Sequence, residues 1–306
     1  MNHLVIMAGG IGSRFWPMST PECPKQFIDV TGCGRTMIQQ TFDRFSSIIP
    51  IERVWVVTSA KYKEIVAEQL SGINPQHILL EPCMRNTAPC IAYVSTKIAK
   101  EDADAVMVVS PSDHLVTDVQ TFGKAINRGL KYVANGNVIL TLGMNPTRPE
   151  TGYGYIQSGH LLEDSGDMPI YKLHAFKEKP NLEVAKQYLA EGGYTWNSGL
   201  FLWSAKTVLS ELREHASQIM SVIDKMQPSF FTESEQEVVN ELFPTCEKIS
   251  IDYAVMEKTS LASVLPIEFG WSDVGTWGSL HTLTNKDDSN NAVIGDGVKM
   301  IDAKGC

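Results

Sequence analysis

The chain has 306 residues, enough to bury a large core as one big domain or two unequal ones. Its 43% apolar and 20% charged residues are those of a soluble globular protein. A net charge of -9 argues against non-specific nucleic-acid binding, which leaves a basic footprint.

In chain order, Leu4-Val5-Ile6-Met7 predicts a short buried strand. It opens into Ala8-Gly9-Gly10-Ile11-Gly12-Ser13-Arg14, and eleven residues later comes Lys25 in Pro24-Lys25-Gln26-Phe27. Such a loop exposes backbone N–H groups with no side chains in the way, which suits phosphate oxygens. Arg14 and Lys25 bring the positive charge a triphosphate requires. Two lookalikes drop out. A dinucleotide fingerprint read from Gly10 needs a third glycine where Phe15 stands. The only Gly-Lys, Gly123-Lys124, precedes Ala125 and not Ser or Thr, so there is no P-loop. The glycines alone suit an ordinary strand-to-helix turn equally well; the cations and prolines attached to them favour phosphate.

The first half then alternates. Strands are predicted at 53–58, 77–81, 105–110 and 138–142, with helices at 62–70, at 87–100 and around Phe122, Ile126, Leu130 and Val133. Val106-Met107-Val108-Val109 is an unbroken apolar run of the kind buried on both faces of a parallel sheet. This rhythm predicts an α/β fold with a doubly wound sheet. Further strands are expected at 153–156 and 170–176, flanking an acidic turn at 163–167, and at 196–203; long helical stretches follow near 204–226 and 233–243. After 284 a polar linker leads into short apolar runs. The expected organisation is a catalytic domain at 1–284, then at 285–306 a linker and the start of an incomplete C-terminal β module.

No apolar stretch approaches the roughly 18–20 residues of a membrane span, and the N-terminal run is too short for a signal peptide. Six cysteines form no C-x-x-C pair. A cytoplasmic protein with reduced thiols, bound to neither membrane nor nucleic acid, is expected.

Ligands of open α/β sheets sit beyond the carboxyl ends of the strands. Three polar clusters fall there: the glycine loop, Glu81-Pro82-Cys83-Met84-Arg85-Asn86-Thr87-Ala88-Pro89, and Ser110-Pro111-Ser112-Asp113-His114. Asp113 suits Mg²⁺, which takes one or two carboxylates beside phosphate oxygens. Asp273, in Gly270-Trp271-Ser272-Asp273-Val274-Gly275-Thr276-Trp277, invites pairing with it. Each acid is equally a candidate helix cap or Asx turn. His114 reads as structural, and no nucleophile–base arrangement stands out. Gly152, Glu178 and Asn197 together suit vicinal hydroxyls, with Lys179 on an attached phosphate.

These stretches, with Pro149-Glu150-Thr151-Gly152-Tyr153-Gly154-Tyr155-Ile156, Phe176-Lys177-Glu178-Lys179-Pro180, Trp196-Asn197-Ser198-Gly199 and Ile251-Asp252-Tyr253-Ala254-Val255-Met256-Glu257, resemble the sugar nucleotidyltransferases over nearly the whole chain. Arg85-Asn86-Thr87-Ala88-Pro89 and the Trp271–Trp277 motif point to the mannose and guanine branch. The resemblance implies a Rossmann-like doubly wound mixed sheet and a reaction of GTP with mannose 1-phosphate, giving GDP-mannose and pyrophosphate. It implies that Arg14 and Lys25 are catalytic and that Mg²⁺ sits on Asp113 and Asp273. Nucleotide contacts would come from Ala8, Gly9, Gly10, Gly12, Ser13, Glu81, Asn86, Thr87, Ala88 and Ser112. Gly152, Glu178, Lys179, Asn197 and Gly199 would hold the sugar phosphate. A homodimer is expected. Two alternatives stay open: another sugar 1-phosphate, such as a manno-heptose phosphate, or a non-catalytic GDP-mannose sensor.

Overall fold

The computed structural model describes residues 1–164, 166–295 and 297–306; Ser165, inside the expected acidic turn, lies outside the described residues, as does Asp296. The first half runs β1 (Asn2–Ala8), α1 (Met37–Phe45), β2 (Val54–Ser59), α2 (Lys63–Gln69), β3 (Ile78–Glu81), α3 (Thr87–Glu101), β4 (Val106–Pro111), β5 (Leu115–Val116), α4 (Val119–Ala134) and β6 (Ile139–Met144). The second half adds β7 (Tyr155–Glu163), β8 (Ile170–Lys177), α5 (Leu182–Glu191), β9 (Tyr194–Ser204), α6 (Ala205–His215), α7 (Ser217–Met226), α8 (Glu235–Leu242), β10 (Ala262–Pro266), β11 (Trp271–Ser272) and α9 (Trp277–Leu283).

Among the described residues, nine strands form one mixed sheet in the order β3-β2-β1-β4-β9-β6-β10-β8-β7. Its first four are parallel, and β9 enters antiparallel between β4 and β6. Alternate residues of the central strands serve two cores. Leu4, Ile6, Val56 and Val108 face one, while Val5, Val57 and Val109 face the other. That is why these strands read as continuous apolar runs rather than alternating ones.

Several helix starts are capped by side chains. Asp118 accepts from the Thr121 N–H to open α4, and Ser204 from Thr207 to open α6. The expected stretch 204–226 is two helices, because Ala216 leaves the helical region at φ -140°. Residues 252–256 form a π-helical turn.

The chain steps from β1 outward to β3, then returns to place β4 on the other side of β1. The β1 and β4 ends, where Met7 pairs with Pro111, are therefore the switch point at which a crevice opens. Beyond it, β5 and β11 pair as an antiparallel ribbon, Trp271 opposite Val116 and Ser272 opposite Leu115. Asp113 lies just before one of its strands and Asp273 just after the other.

Candidate active site

Two cavities adjoin at the switch point, and Met7, Thr87 and Pro111 line both. The first, of about 420 Å³, is also walled by Gly9, Gly10, Glu81, Met84, Asn86, Cys90 and Lys248. The second, of about 210 Å³, is walled by His114, Gly152, Tyr153, Gly154, Glu178, Asn197, Gly199, Asp252, Trp271 and Asp273, among others.

The glycine loop is held from beneath. Gln26 Nε2 donates to the Ala8 carbonyl at 3.1 Å and the Gly10 carbonyl at 2.7 Å. Gly12 stands at φ 57°, and a Cβ there would lie 2.8 Å from the Lys25 backbone nitrogen. Only glycine lets the loop rest on the 24–27 segment. The same contact fixes where Lys25 begins.

Lys25 is buried, and its ammonium lies 2.8 Å from Asp113 Oδ2. It also donates to the carbonyls of Asp273 at 2.7 Å and Val274 at 3.1 Å. One cation thus ties both candidate metal acids together. Burial pushes the Asp113 carboxyl up, but the Lys25 ammonium outweighs it, leaving it below its ordinary range and ionised. Arg14, by contrast, is exposed, with no hydrogen bond or ion pair among the described residues. It is a free cation beside the loop.

In the first cavity, the buried Glu81 carboxyl has an Oε1 without a hydrogen-bond partner among the described residues. Burial raises it from the ordinary 4.5 to about 8. Asn86 caps α3 through the Thr87 N–H at 2.9 Å. The Ala88 N–H is taken by the Ile249 carbonyl, which docks the 246–251 segment over the cavity edge.

In the second cavity, Glu178 Oε2 is likewise buried and unpartnered among the described residues, while Oε1 pairs with Lys179. Asn197 donates to Asp252 Oδ1 at 3.0 Å, and its own Oδ1 accepts from the Gly199 N–H at 3.1 Å. Burial, then the charge of Glu178, raises the Asp252 carboxyl to about 6. Burial also lowers His114, whose Nδ1 accepts from the Trp271 indole at 3.2 Å, so it stays neutral near pH 7. That suits its reading as structural.

The sequence-selected Gly9, Gly10, Glu81, Asn86 and Thr87 meet at the first cavity, and Gly152, Glu178, Asn197, Gly199 and Asp273 at the second. Ala8, Ala88 and Ser112 are buried in the walls behind them. Gly12 and Ser13 follow in the loop, and Lys179 sits at the rim on Glu178. Sequence reasoning assigned nothing to Asp252, Tyr153 or Lys248. The first two lie inside motifs that carried the resemblance, and that was the only available signal. Nothing marked Lys248.

A family model described as nucleotidyl transferase matches residues 3–290. The chain belongs to the nucleotidyl transferase family. The match runs from within β1 through α9 and leaves residues 1–2 and 291–306 outside it. Among relatives of this nucleotidyl transferase, a mannose-1-phosphate guanylyltransferase of Escherichia coli is 40% identical over 95% of the chain, and RfbM of Salmonella typhimurium, of the same name, is 40% identical over 95%. The chain spans 63% and 60% of their lengths. A solved structure from Thermus thermophilus, described as a mannose-1-phosphate geranyltransferase, is 30% identical with a TM-score of 0.82, covering 94% of this chain and 80% of that one.

Proposed function

We propose that the protein transfers GMP from GTP to mannose 1-phosphate, giving GDP-mannose and pyrophosphate. The observation that carries this reading is the pair of adjoining cavities with a common wall of Met7, Thr87 and Pro111. One is bordered by the glycine loop, the other by the unpartnered Glu178 Oε2 and the Asn197 amide, groups suited to hydroxyls. The names of the relatives support the substrates.

In this reading GTP fills the first cavity. The unpartnered Glu81 Oε1 accepts one hydrogen bond from the N–H edge of guanine, with the carboxyl proton on Oε2, and Asn86 and Thr87 reach the ribose. Arg14 holds the β and γ phosphates, and Lys25 neutralises charge at the transferring phosphoryl group. Glu178, Asn197 and Gly199 hold the mannose hydroxyls, with Lys179 on the sugar phosphate. A phosphate oxygen of mannose 1-phosphate attacks the α-phosphorus in line as the bond to pyrophosphate breaks. The attacking monoester has a second pKa of about 6, so it is already mostly dianionic and needs no general base. Positioning and charge neutralisation are the whole task.

The donor set also fits a divalent cation. Asp113 and Asp273 are hard carboxylates brought together by Lys25, which contacts the Asp113 carboxylate and the Asp273 carbonyl, and Asp273 Oδ2 accepts no hydrogen bond among the described residues. They would hold Mg²⁺. When bound, the cation neutralises charge on the reacting phosphates. We further take 1–284 as the catalytic unit, 285–306 as the start of a β module, and the working form as a cytoplasmic homodimer.

The test incubates the protein with Mg²⁺, mannose 1-phosphate and each nucleoside triphosphate in turn, following pyrophosphate release. GTP should stand well above the others. Equal release from all four sinks the guanine assignment, and a panel of sugar 1-phosphates tests mannose the same way. A protein that binds GDP-mannose but releases no pyrophosphate is a sensor instead.

A further inference from the structure

Asp273 Oδ1 accepts two hydrogen bonds, from the Tyr153 hydroxyl at 2.6 Å and the Gly275 N–H at 2.9 Å. Its Oδ2 accepts none among the described residues. An acceptor oxygen with two donors is saturated in the carboxylate plane, so the rotation of the whole group is fixed. Tyr153 is itself fixed. It is 9% exposed and wedged edge-on between Trp196 and Trp271, each with its ring centroid 5.2 Å away. Both tryptophans are anchored independently, Trp196 in β9 and Trp271 in the β5–β11 ribbon. Tyr153 also stands between Gly152 and Gly154 in the wall of the second cavity. One hydroxyl therefore joins the acceptor cavity to a candidate metal acid.

We propose that Tyr153 is a positioning residue: its hydroxyl occupies Asp273 Oδ1 so that Oδ2 is the oxygen available to a divalent cation. A sugar phosphate in the second cavity packs on Tyr153 and holds that hydroxyl in place, so cation and sugar phosphate strengthen each other's binding. By linkage the coupling is reciprocal. This rests on the assignment of the cation to Asp113 and Asp273 made above. Partners that orient a metal ligand typically set metal affinity by about 10–100-fold.

Mn²⁺ serves as the probe. Its binding is followed by electron paramagnetic resonance with the protein saturated by a GTP analogue carrying a methylene bridge between the α and β phosphates, which prevents transfer. In Tyr153→Phe, which keeps both ring contacts, Mn²⁺ should bind roughly tenfold or more weakly. Mannose 1-phosphate should tighten Mn²⁺ binding to the parent protein but not to the variant. Mannose 1-phosphate binding without metal, measured by calorimetry in a chelator, should be unchanged in Tyr153→Phe. In the active protein, excess Mn²⁺ should restore the variant's turnover. Adding Tyr153→Phe to Asp273→Asn should cost no further Mn²⁺ affinity, a comparison that holds even where the single variant is less stable.

Unchanged Mn²⁺ affinity in Tyr153→Phe overturns the proposal, as does an additive loss in the double variant. A raised KM for mannose 1-phosphate with normal metal dependence makes Tyr153 a plain wall of the cavity and overturns it too. If the parent protein releases no pyrophosphate yet the Mn²⁺ results hold, the proposed reaction fails and the role of Tyr153 stands. If the parent binds no Mn²⁺, the metal assignment and this proposal fall together.

Discussion

At neutral pH the Glu81 carboxyl in the wall of the first cavity is protonated, because burial holds it at about 8 instead of 4.5. The unfolded chain ionises near 4.5, so between those values the folded state binds the extra proton. Stability from this group is fully present below about pH 4.5 and is lost as pH rises towards 8, a difference on the order of a few kcal/mol. Glu81→Gln removes the titration. Melting curves from pH 5 to 9 should show the parent losing ground to the variant up to about 8 and then running parallel; a gap independent of pH would refute the assignment. Glu81 was legible in the sequence as a polar residue at a strand end. Asp252 and Tyr153 were not, since an acid and a phenol acquire meaning only from partners 55 and 120 positions away. No local spacing encodes such a meeting. Arg14 and Lys25 read alike as cations, yet the fold leaves one exposed and buries the other against Asp113.

The β5–β11 ribbon is the element that brings Asp113 and Asp273 together, and two residues per strand are too few to show any periodicity. The chain enters β11 through Gly270, at φ 65°, where a Cβ would lie 1.7 Å from Oγ1 of Thr117, the residue that follows β5. Gly270→Ala must therefore displace one strand against the other. The cost should be about 1–3 kcal/mol for the left-handed backbone and the clash together. Turnover should fall well beyond what the melting temperature suggests, because the acids shift relative to each other. Chemical denaturation and turnover measured on the same preparation check this, and a stable variant with parental turnover would show that the ribbon does not set the site. Other elements escaped the sequence for related reasons. The buried face of α1 includes Thr41 and Arg44, which blunts its apolar pattern, and α5 buries only Ala185. The strands of the first half were plain because both faces of each are covered.

Across the whole molecule, the alternation of strands and helices announced a doubly wound sheet but not its order. Nothing local says that β9 inserts antiparallel between β4 and β6, since strand order is decided by which long-range pairings bury most. The same holds for a third, small core of Phe15, Val30, Met37, Val274 and Leu280, with Leu115 and Ile294 packed against it. It gathers the glycine loop, α1, the ribbon, α9 and the 285–306 segment directly behind Asp273 and Lys25. Ile294 is half-buried and comes from beyond the matched family region. Ile294→Ala should destabilise by roughly 1–2 kcal/mol through lost burial. Because Val274 and Phe15 share that core, turnover should fall several-fold as well. Val222→Ala, a half-buried residue packed on the distant main core, is the matched control and should lower stability while sparing turnover. If both variants lose stability and neither loses turnover, the 285–306 segment is a cover alone; if only Ile294→Ala loses turnover, the segment helps set the phosphate-binding end of the site.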